Sequence, residues 1–306
     1  MPTHAPFYLT GPTAVGKSAV AMLLAERMGG EIISVDSMQV YRGLDLGTAK
    51  PSPAERARVP HHLVDVCHLQ EDFNAARFVE LAGKAVADLQ RRGRVPIFCG
   101  GTGLYFKAWL EGLAPLPPPD PALRAELEAT PLEVLLAELE QKDPATFARV
   151  DRRNPRRVVR AVEIWRLSGR PMAEAAGGWT RPAGPEIQVF ALRRSAEDLR
   201  RRIEERVDAM FRAGLVEETR RLLAAGLAQN RTAMQAIGYR QVVEYLRGER
   251  DLPATVALVK QRTWQFARRQ MTYLRHQLPV VWVDWPPEMS AETLADQLLA
   301  RWMARV

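Results

Sequence analysis

The chain has 306 residues, of which 47% are hydrophobic. This is enough to bury a sizeable core and excludes an intrinsically disordered protein. No apolar run approaches the roughly 18 residues of a membrane-spanning helix, and the first ten residues do not resemble a secretory signal, so we expect a cytoplasmic protein with no membrane partner. The net charge of +7 favours a polyanionic partner. Cys67 and Cys99 form no CxxC pair, which predicts two reduced thiols.

Strand and helix patterns alternate over the first hundred residues. The strand candidates are "FYLT" (7–10), "EIISVD" (31–36), "HHLVDV" (61–66) and "RVPIFCGG" (94–101), with a helix from about Asn74 to Arg91 before the fourth. This order predicts an α/β fold: a P-loop NTPase-like parallel sheet core with helices on both faces. Ligands of such sheets bind beyond the carboxyl ends of the strands, where the glycine-rich stretch after "FYLT", Asp36 and Gly100–Thr102 are expected to lie.

The central part of the chain interrupts this alternation. Six prolines lie between Pro115 and Pro131, closely followed by helix formers, and the breaker cluster "GGWTRPAGPE" ends at Glu186. We therefore predict a helical insertion domain, 115–186, between a first core part, 1–114, and a second, 187–306. The second core part contains the strand candidates "IQVFALRR" and "PVVWVDW" and is otherwise expected to be helical, starting from an N-cap at Ser195.

The stretch "GPTAVGKS", Gly11 to Ser18, fits the phosphate-loop pattern of glycine, four residues, glycine, lysine, and serine or threonine. Its glycines let the backbone wrap an anion closely, and the following helix presents its positive end. Lys17 adds a charge, and Ser18 is the expected ligand of a Mg²⁺ cofactor. Asp36 is either a further functional carboxylate or an Asx-type turn cap. The pattern predicts phosphate binding and leaves kinases, NTPases and other phosphate users open.

A longer series of motifs narrows this choice. It comprises the phosphate loop with "VDSMQVYRGLDLGTAKP", then "PIFCGGTGLYFKAWLEGLAPLP", "NPRRVVRAVEIWRLSGRP", "IEERVDAMFRAGLVEE", "QAIGYRQVVEYLRGE" and "KQRTWQFARRQMTYLR". With these segments the chain closely resembles bacterial tRNA dimethylallyltransferases, also called tRNA isopentenyltransferases, over nearly its whole length. The combination is far more specific than any one of the motifs.

The resemblance implies transfer of the dimethylallyl group of dimethylallyl diphosphate to N6 of adenine-37 in tRNA, with release of diphosphate. Because the adenine amine is a poor nucleophile, a carboxylate that accepts its proton helps, and Asp36 is the predicted general base. Thr102 is expected to position the amine or the leaving group. Arg206 resembles a family arginine near the diphosphate, although its mixed-charge helix also allows a surface role. The diphosphate would be held by Gly11, Pro12, Thr13, Ala14, Val15, Gly16, Lys17 and Ser18.

The resemblance also implies contacts to the tRNA anticodon stem-loop, from which the adenine must be turned out. The implied residues are Asp36, Ser37, Met38, Gln39, Thr102, Arg124, Arg156, Arg157, Val158, Val159, Arg160, Gln235, Ala236, Ile237, Gly238, Tyr239 and Arg240. Eight arginines between Phe147 and Arg170 fit this assignment by charge. Val158 and Val159 have an alternative interpretation as core residues between exposed arginines.

Three other points stay open from the sequence. Trp264, Phe266 and Tyr273 interleave with basic residues and could stack on bases, but aromatic residues at helical spacing usually pack in a core. Other functions consistent with the phosphate loop are a small-molecule kinase, a free-adenylate isopentenyltransferase and a non-catalytic RNA-binding protein. An enzyme that grasps one anticodon arm can work as a monomer, which is our expectation here.

Overall fold

A computed structural model describes residues 5–114, 116–172, 179 and 187–304. Within this part the strands form one parallel sheet in the order β3-β2-β4-β1-β5-β6. The strands are β1 (Phe7–Thr10), β2 (Gly30–Val35), β3 (His61–His62), β4 (Val95–Gly100), β5 (Val189–Arg193) and β6 (Val280–Asp284). The predicted α/β fold with a P-loop-like sheet core is confirmed.

The helices that connect and follow these strands have the following bounds. They are α1 (Lys17–Met28), α2 (Pro53–Arg58), α3 (Ala75–Arg91), α4 (Gly103–Glu111), α5 (Pro121–Ala129), α6 (Leu132–Lys142), α7 (Pro144–Arg149), α8 (Pro155–Ser168), α9 (Ala196–Arg212), α10 (Leu215–Ala224), α11 (Tyr239–Leu246), α12 (Leu252–Gln277) and α13 (Ala291–Met303). Short 3₁₀ turns cover Leu227–Gln229 and Ala233–Gln235. None of the described helices combines the length and the apolar composition that a bilayer crossing requires.

Both faces of the sheet are buried, as expected for parallel strands. Phe7 and Leu9 of β1 belong to the core cluster that α1, α9 and α13 complete, whereas the ring of Tyr8 lies against Phe98. Successive residues of a strand point to opposite faces, so the two packing partners mark the two sides. Helices α1 and α3 begin after glycine and asparagine N-caps, Gly16 and Asn74.

The parallel order places three loops at one edge of the sheet. β1 pairs with β4 so that Thr10 lies opposite Gly100, and β2 pairs with β4 so that Val35 lies opposite Gly100. The segments that start at Gly11, Asp36 and Gly101 therefore begin next to one another. This register brings together stretches that lie far apart in the sequence.

The third predicted strand is much shorter than expected. Only His61–His62 pair with β2, because Leu63 and Asp65 have left-handed backbone angles, φ 62° and 57°, that no strand tolerates. The carboxylate of Asp65 instead binds the side chains of Lys50 and Arg56 at 2.6 and 2.7 Å. The "HHLVDV" prediction is therefore wrong beyond its first two residues.

The chain divides into two compact units, 1–107 with 184–306, and Ala108–Ala183. The first contains the sheet. The second begins within α4, upstream of the predicted insertion boundary at 115, and the predicted boundary residues 115 and 186 lie outside the described residues. Helices α5 to α8 of the second unit surround a core of Leu127, Leu135, Leu139, Val158, Val159, Ala161 and Val162.

A buried carboxylate ties two helices of this second unit together. Glu163 of α8 is fully buried and accepts hydrogen bonds from Arg124 of α5 and from Arg160, the latter at 2.6 Å. Burial alone would raise the pKa of Glu163, but the two guanidinium groups outweigh it and the pKa is lowered. The ion pairs therefore hold Glu163 ionised and fix two arginines that the resemblance assigned to tRNA.

Replacing Glu163 by glutamine should destabilise the helical unit by roughly 2 kcal/mol, because two guanidinium groups lose their charged partner. Because the pKa of Glu163 is lower in the folded than in the unfolded state, where it is about 4.3, its ionised carboxylate stabilises the folded unit at pH values above the unfolded pKa. The stability difference between parent and variant should therefore be present at neutral pH and disappear in acid. Hydrogen exchange of the α8 amides, read by mass spectrometry, measures it. The exposed Glu133→Gln is the control, and equal protection in both variants would contradict the prediction.

Candidate active site

The phosphate loop between β1 and α1 contains three residues with positive φ angles, which residues other than glycine rarely adopt. Gly11, Ala14 and Gly16 have φ angles of 147°, 64° and 101°. The carbonyl oxygens of Ala14 and Val15 are held by the Nε atoms of Arg202 and Arg194, each at 2.9 Å. Because these arginines fix the carbonyl groups, the loop is set in its strained form before any ligand arrives.

An aromatic ring supports the loop from behind. A Cβ atom on Gly16 would lie 2.7 Å from the ring of Trp285, so glycine is required there for space as well as for its backbone angle. Trp285 is buried, and its ring also stacks with the guanidinium of Arg194, whose Cζ lies 3.8 Å from the ring centroid. Trp285 directly follows β6, so a residue from the C-terminal part of the chain packs against a loop in the N-terminal part.

A cavity of about 400 Å³ opens beside the start of α1. It is lined by Ala14, Gly16, Lys17, Ser18, Ala19, Arg202, Glu205 and Arg206. The N-cap of α1 is Gly16, which has no side chain to cap the helix, so the positive end of α1 is directed at the cavity without a capping side chain from this residue. Lys17, Arg202 and Arg206 give the cavity three cationic side chains, against the single carboxylate of Glu205. Such a cavity binds a compact polyanion.

Lys17 and Arg206 are half-buried and lie close enough to Asp36 to interact with its charge. Burial lowers the pKa of both Lys17 and Arg206, and the nearby Asp36 raises the pKa of each. The Nε atom of Arg206 is buried and has no hydrogen-bond partner among the described residues. A buried donor without a partner is costly, and an anionic ligand in the cavity would satisfy it. Arg206 is half-buried and lines the cavity, which supports the place near a bound anion that the resemblance implied.

Asp36 is held at the end of β2 by its own loop. Its Oδ1 accepts from the amides of Met38 and Gln39 at 2.8 and 3.2 Å, which is the turn-capping role considered from the sequence. Within the described residues no hydrogen bond reaches its Oδ2. The cap therefore orients the carboxylate and leaves one oxygen for other chemistry. Thr102 accepts the amide of Ser37 at 3.1 Å through its hydroxyl, which joins the two loops.

Gln270 of α12 connects the phosphate loop to the loop after β4. Its buried amide accepts from the Thr13 N–H at 2.8 Å and donates to the Gly101 carbonyl at 2.9 Å. A Cβ on Gly101 would lie 2.3 Å from the Gln270 nitrogen, so a larger residue there would displace the amide from this position. One side chain thus fixes the distance between the phosphate loop and the loop that carries Thr102.

The comparisons with known proteins agree on one family. The sequence model described as IPP transferase matches residues 39–277. The chain belongs to the IPP transferase family. It is 47% identical over 282 residues to a tRNA dimethylallyltransferase of Geobacter metallireducens, covering 90% of this chain and 91% of the relative.

Solved structures show the same family likeness. A tRNA isopentenylpyrophosphate transferase from Bacillus halodurans is similar with a TM-score of 0.73 and 33% identity, over 99% of this chain and 98% of that one. A eukaryotic dimethylallyltransferase described as acting on tRNA is similar with a TM-score of 0.82 and 26% identity, over 96% and 77% of the respective chains. The fold is thus shared with a eukaryotic dimethylallyltransferase of low sequence identity.

In the sheet-containing unit of this IPP transferase, several predicted tRNA contacts have other partners. The Gln39 amide accepts from Ser34 and donates to the Thr48 and Ala49 carbonyls, so its polar atoms are used within the protein. The ring of Tyr239 is fully buried. Ser37, Met38 and Ile237 are half-buried, Ala236 and Gly238 are buried, and Gln235 and Arg240 are exposed.

The buried Tyr239 has a structural role. Its hydroxyl donates to Glu218 at 2.5 Å and accepts from the Gly47 amide at 3.0 Å. Glu218 also accepts from the amides of Asp45 and Leu46. Tyr239 therefore cannot offer its side chain to RNA; it fixes the "GTAKP" segment, and Gly47 is needed because a Cβ there would lie 2.4 Å from the ring.

In the helical unit, the predicted tRNA residues divide into two groups. Arg156 and Arg157 are exposed at the start of α8. Val158 and Val159 are buried in the core of the unit, as their alternative interpretation predicted. Arg124 and Arg160 pair with Glu163. Arg156 and Arg157 are thus the arginines of this group whose side chains have no ion pair within the part of the chain that the structure describes.

The three aromatic residues of α12 differ in their surroundings. Trp264 packs against the main core and carries the guanidinium of Arg200 at 5.5 Å. Tyr273 lies against Gly103, where a Cβ would be 2.3 Å from its ring. Phe266 is exposed. The packing interpretation therefore holds for Trp264 and Tyr273 and fails for Phe266.

Sequence reasoning missed Arg194, Arg202, Gln270 and Trp285. Arg202 is the only one with a usable signal, since it lies one helical turn before Arg206 on α9 and shares its face. The others act through loop geometry that has no local pattern. Both cysteines are free and buried, which agrees with the predicted thiols, and burial raises the pKa of Cys99 to about 11.

Replacing Gln270 by leucine should leave the Thr13 amide and the Gly101 carbonyl without partners while keeping the buried volume. We expect turnover to fall about tenfold or more with little change in the KM for tRNA, because the two loops lose their fixed spacing. Steady-state kinetics measure this split. Gln265→Leu, on the same helix but bound only to Arg262 in the described structure, is the control. Equal kcat in both variants would refute the positioning role.

Proposed function

We propose that this protein transfers a dimethylallyl group from dimethylallyl diphosphate to N6 of the adenine beside the anticodon of tRNA and releases diphosphate. The observation that carries the proposal is the cationic cavity at the phosphate loop, with the unpartnered Arg206 donor, lying in electrostatic contact with Asp36. A relative at 47% identity that bears the name tRNA dimethylallyltransferase supports the same reaction.

The leaving group explains the cavity. In the reaction the allylic C–O bond breaks and diphosphate takes the electron pair, so negative charge grows on its oxygens. The amides at the start of α1, Lys17 and Arg206 are already in place to receive that charge, together with Arg202. Each preorganised donor of this kind typically contributes about 3 kcal/mol to lowering a barrier.

The nucleophile explains Asp36. As the adenine N6 forms its bond to the allylic carbon, it must lose a proton, and the free Oδ2 of Asp36 is the acceptor in our proposal. The Met38 and Gln39 amides hold the other oxygen and so fix the direction in which Oδ2 points. Thr102 holds the backbone amide of Ser37 beside the carboxylate. General bases of this type contribute about 10² to 10⁴ in rate.

Ser18 fits the predicted Mg²⁺ cofactor. Mg²⁺ keeps several waters and takes few protein ligands besides phosphate oxygens. The Ser18 hydroxyl is exposed in the first turn of α1 and lines the cavity, which meets this requirement. When bound there, the ion would neutralise part of the charge of the departing diphosphate.

The other functions considered for the phosphate loop explain fewer of these observations. A small-molecule kinase needs ATP, whereas the relatives are dimethylallyltransferases. A free-adenylate acceptor leaves the exposed Arg156 and Arg157 without a role, while tRNA provides phosphates for them.

Asp36→Asn should retain the oxygen that caps the Met38 and Gln39 amides and lose the proton acceptor. We expect transfer of labelled dimethylallyl from its diphosphate to tRNA to fall about 10²- to 10⁴-fold, with tRNA binding unchanged. Asp251→Asn, which alters the capping carboxylate of α12 in the same way, should keep parent activity. Label transfer to AMP by the parent, or turnover of Asp36→Asn at the parent rate, would contradict the proposal.

Arg156 and Arg157 should contribute phosphate contacts to tRNA binding. Replacing both by glutamine should weaken binding and lower the slope of log K against log salt by about one per lost contact. Filter binding over a salt series measures the slope. Arg91→Gln, which removes an arginine paired with Asp88 on α3, is the control. If the double variant keeps the parent slope, the helical unit does not hold the RNA backbone through this pair.

A further inference from the structure

A second cavity, of about 470 Å³, lies in the sheet-containing unit and shares no lining residue with the phosphate-loop cavity. Its walls come from the turn at residues 42–45, from residues 68–70 and from one face of α10. The residues of that face are spaced by three, one and three positions, which places them on one side of the helix: Glu218, Arg221, Leu222 and Ala225. The proposed reaction assigns no ligand to this second cavity.

Hydrogen bonds at two points hold the walls of the second cavity together. At the first, Glu218 accepts from the amides of Asp45 and Leu46 at 3.2 and 3.0 Å. At the other, the Gln70 side chain donates to the Ala225 carbonyl at 3.1 Å. Glu218 and Ala225 are seven residues apart, which is about 10 Å along the helix axis. Arg221 and Leu222 lie between these points, so this part of the wall is fixed at both ends before any ligand arrives.

The two carboxylates of the second cavity are used by groups outside it. Glu218 is buried, and besides the two amides it accepts the Tyr239 hydroxyl at 2.5 Å. Asp45 pairs with Lys50 at 2.6 Å. Neither carboxylate is therefore available to balance a positive charge in the cavity.

Two guanidinium groups of the second cavity are left without such a partner. Arg42 donates from its Nε atom to the Asp65 carbonyl at 2.9 Å, and within the described part of the chain its terminal nitrogens bind nothing. No described carboxylate pairs with Arg221 either, whereas Arg220, the preceding residue of α10, pairs with Glu217 at 3.3 Å. The second cavity is therefore lined by two uncompensated cations.

The chemistry of the walls indicates the ligand. A guanidinium group offers paired N–H donors that match the oxygens of a phosphate group. Leu69 and Leu222 are buried and add an apolar surface. The volume lies within the range of about 300 to 1,000 Å³ that is usual for small-molecule sites, and a lone phosphate ion would leave most of it empty. A phosphate that carries an uncharged organic group fits both the charge and the size.

We propose that the second cavity is an accessory binding site for a small phosphorylated molecule. Arg42 and Arg221 bind its phosphate, and Leu69 and Leu222 contact its uncharged part. The bound phosphate would join the turn at residues 42–45 to α10. The inference does not depend on the proposed reaction, because none of these four residues is assigned to dimethylallyl diphosphate or to tRNA.

The site is tested with ribose 5-phosphate as the probe and ribose as its match without the phosphate. Hydrogen exchange of the peptides that cover residues 42–46 and α10, read by mass spectrometry, reports on the second cavity separately from the phosphate loop. With the parent protein, ribose 5-phosphate should slow exchange in both peptides, and ribose should leave it unchanged. A titration gives the probe concentration at half-maximal protection.

A pair of neighbouring arginines provides the matched variants. Arg221→Gln should raise the half-maximal probe concentration about tenfold, because the phosphate loses a charged donor. Arg220→Gln removes the same charge from the next residue of the helix, outside the cavity, and should keep the parent value. Both side chains are exposed, so both variants should fold, which equal melting temperatures would show. Arg42→Gln combined with Arg221→Gln should abolish the protection.

Several results would overturn the accessory site. These are equal half-maximal concentrations for Arg221→Gln and Arg220→Gln, equal protection by ribose, and no protection of the parent by ribose 5-phosphate, glycerol 3-phosphate or inorganic phosphate. If anticodon stem-loop RNA protects the same peptides and the double variant lowers its salt slope, the surface binds RNA and the small-molecule site is wrong.

The accessory site and the proposed reaction can fail separately. Transfer of labelled dimethylallyl to tRNA, measured without the phosphorylated probes, should stay at the parent rate in the Arg220 and Arg221 variants. A parent that transfers label but shows no protection by the probes retains the reaction and loses the accessory site. A parent that is protected by ribose 5-phosphate but transfers no label retains the accessory site and loses the reaction.

Discussion

The active site depends on a fixed spacing between three loops at one edge of the parallel sheet. The register of β1, β2 and β4 starts these loops next to one another, but loops of this length would otherwise adopt many arrangements. Two sets of hydrogen bonds restrict them. The Gln270 side chain binds both Thr13 and Gly101, and the hydroxyl of Thr102, the residue after Gly101, accepts the amide of Ser37. The diphosphate cavity and Asp36 thereby stand at a set distance, which is what a transfer between two bound substrates requires.

The electrostatics of the site follow from an imbalance that the fold maintains. Lys17, Arg202 and Arg206 line one small cavity, and burial disfavours the charged forms of Lys17 and Arg206. Residues from α12 and from the segment after β6 hold the phosphate loop in place around these cations. Gln270 binds the Thr13 amide, and the ring of Trp285 packs behind Gly16. In the proposed reaction, the diphosphate would offset this excess of positive charge, so that binding energy is available where negative charge develops.

Several polar residues that attract attention as RNA contacts serve the architecture instead. Tyr239 and Glu218 hold the backbone of the "GTAKP" segment, Gln39 ties that segment to β2, and Glu163 takes up two arginines of the helical unit. The positive charge left for RNA is consequently more localised than the arginine content suggests. In our proposal it includes the exposed Arg156 and Arg157 at the start of α8.

The sequence by itself determined the fold class, the phosphate loop and the carboxylate at the end of β2. These depend on local rules: alternating strand and helix patterns, a glycine spacing that wraps an anion, and a residue that directly follows a buried strand. The family resemblance added the reaction, and the comparisons with known proteins confirmed the family.

Only the tertiary structure decided which side chains face the ligand and which are consumed by internal partners. Gln270 lies 257 positions along the chain from Thr13, whose amide it binds, and Trp285 is similarly remote from the Gly16 that it packs behind. No local pattern encodes such a pairing, because it arises from how distant helices pack. For the same reason the sequence could not distinguish the buried Tyr239 from the exposed Phe266: both are aromatic residues among basic ones, and burial is a property of the packed chain.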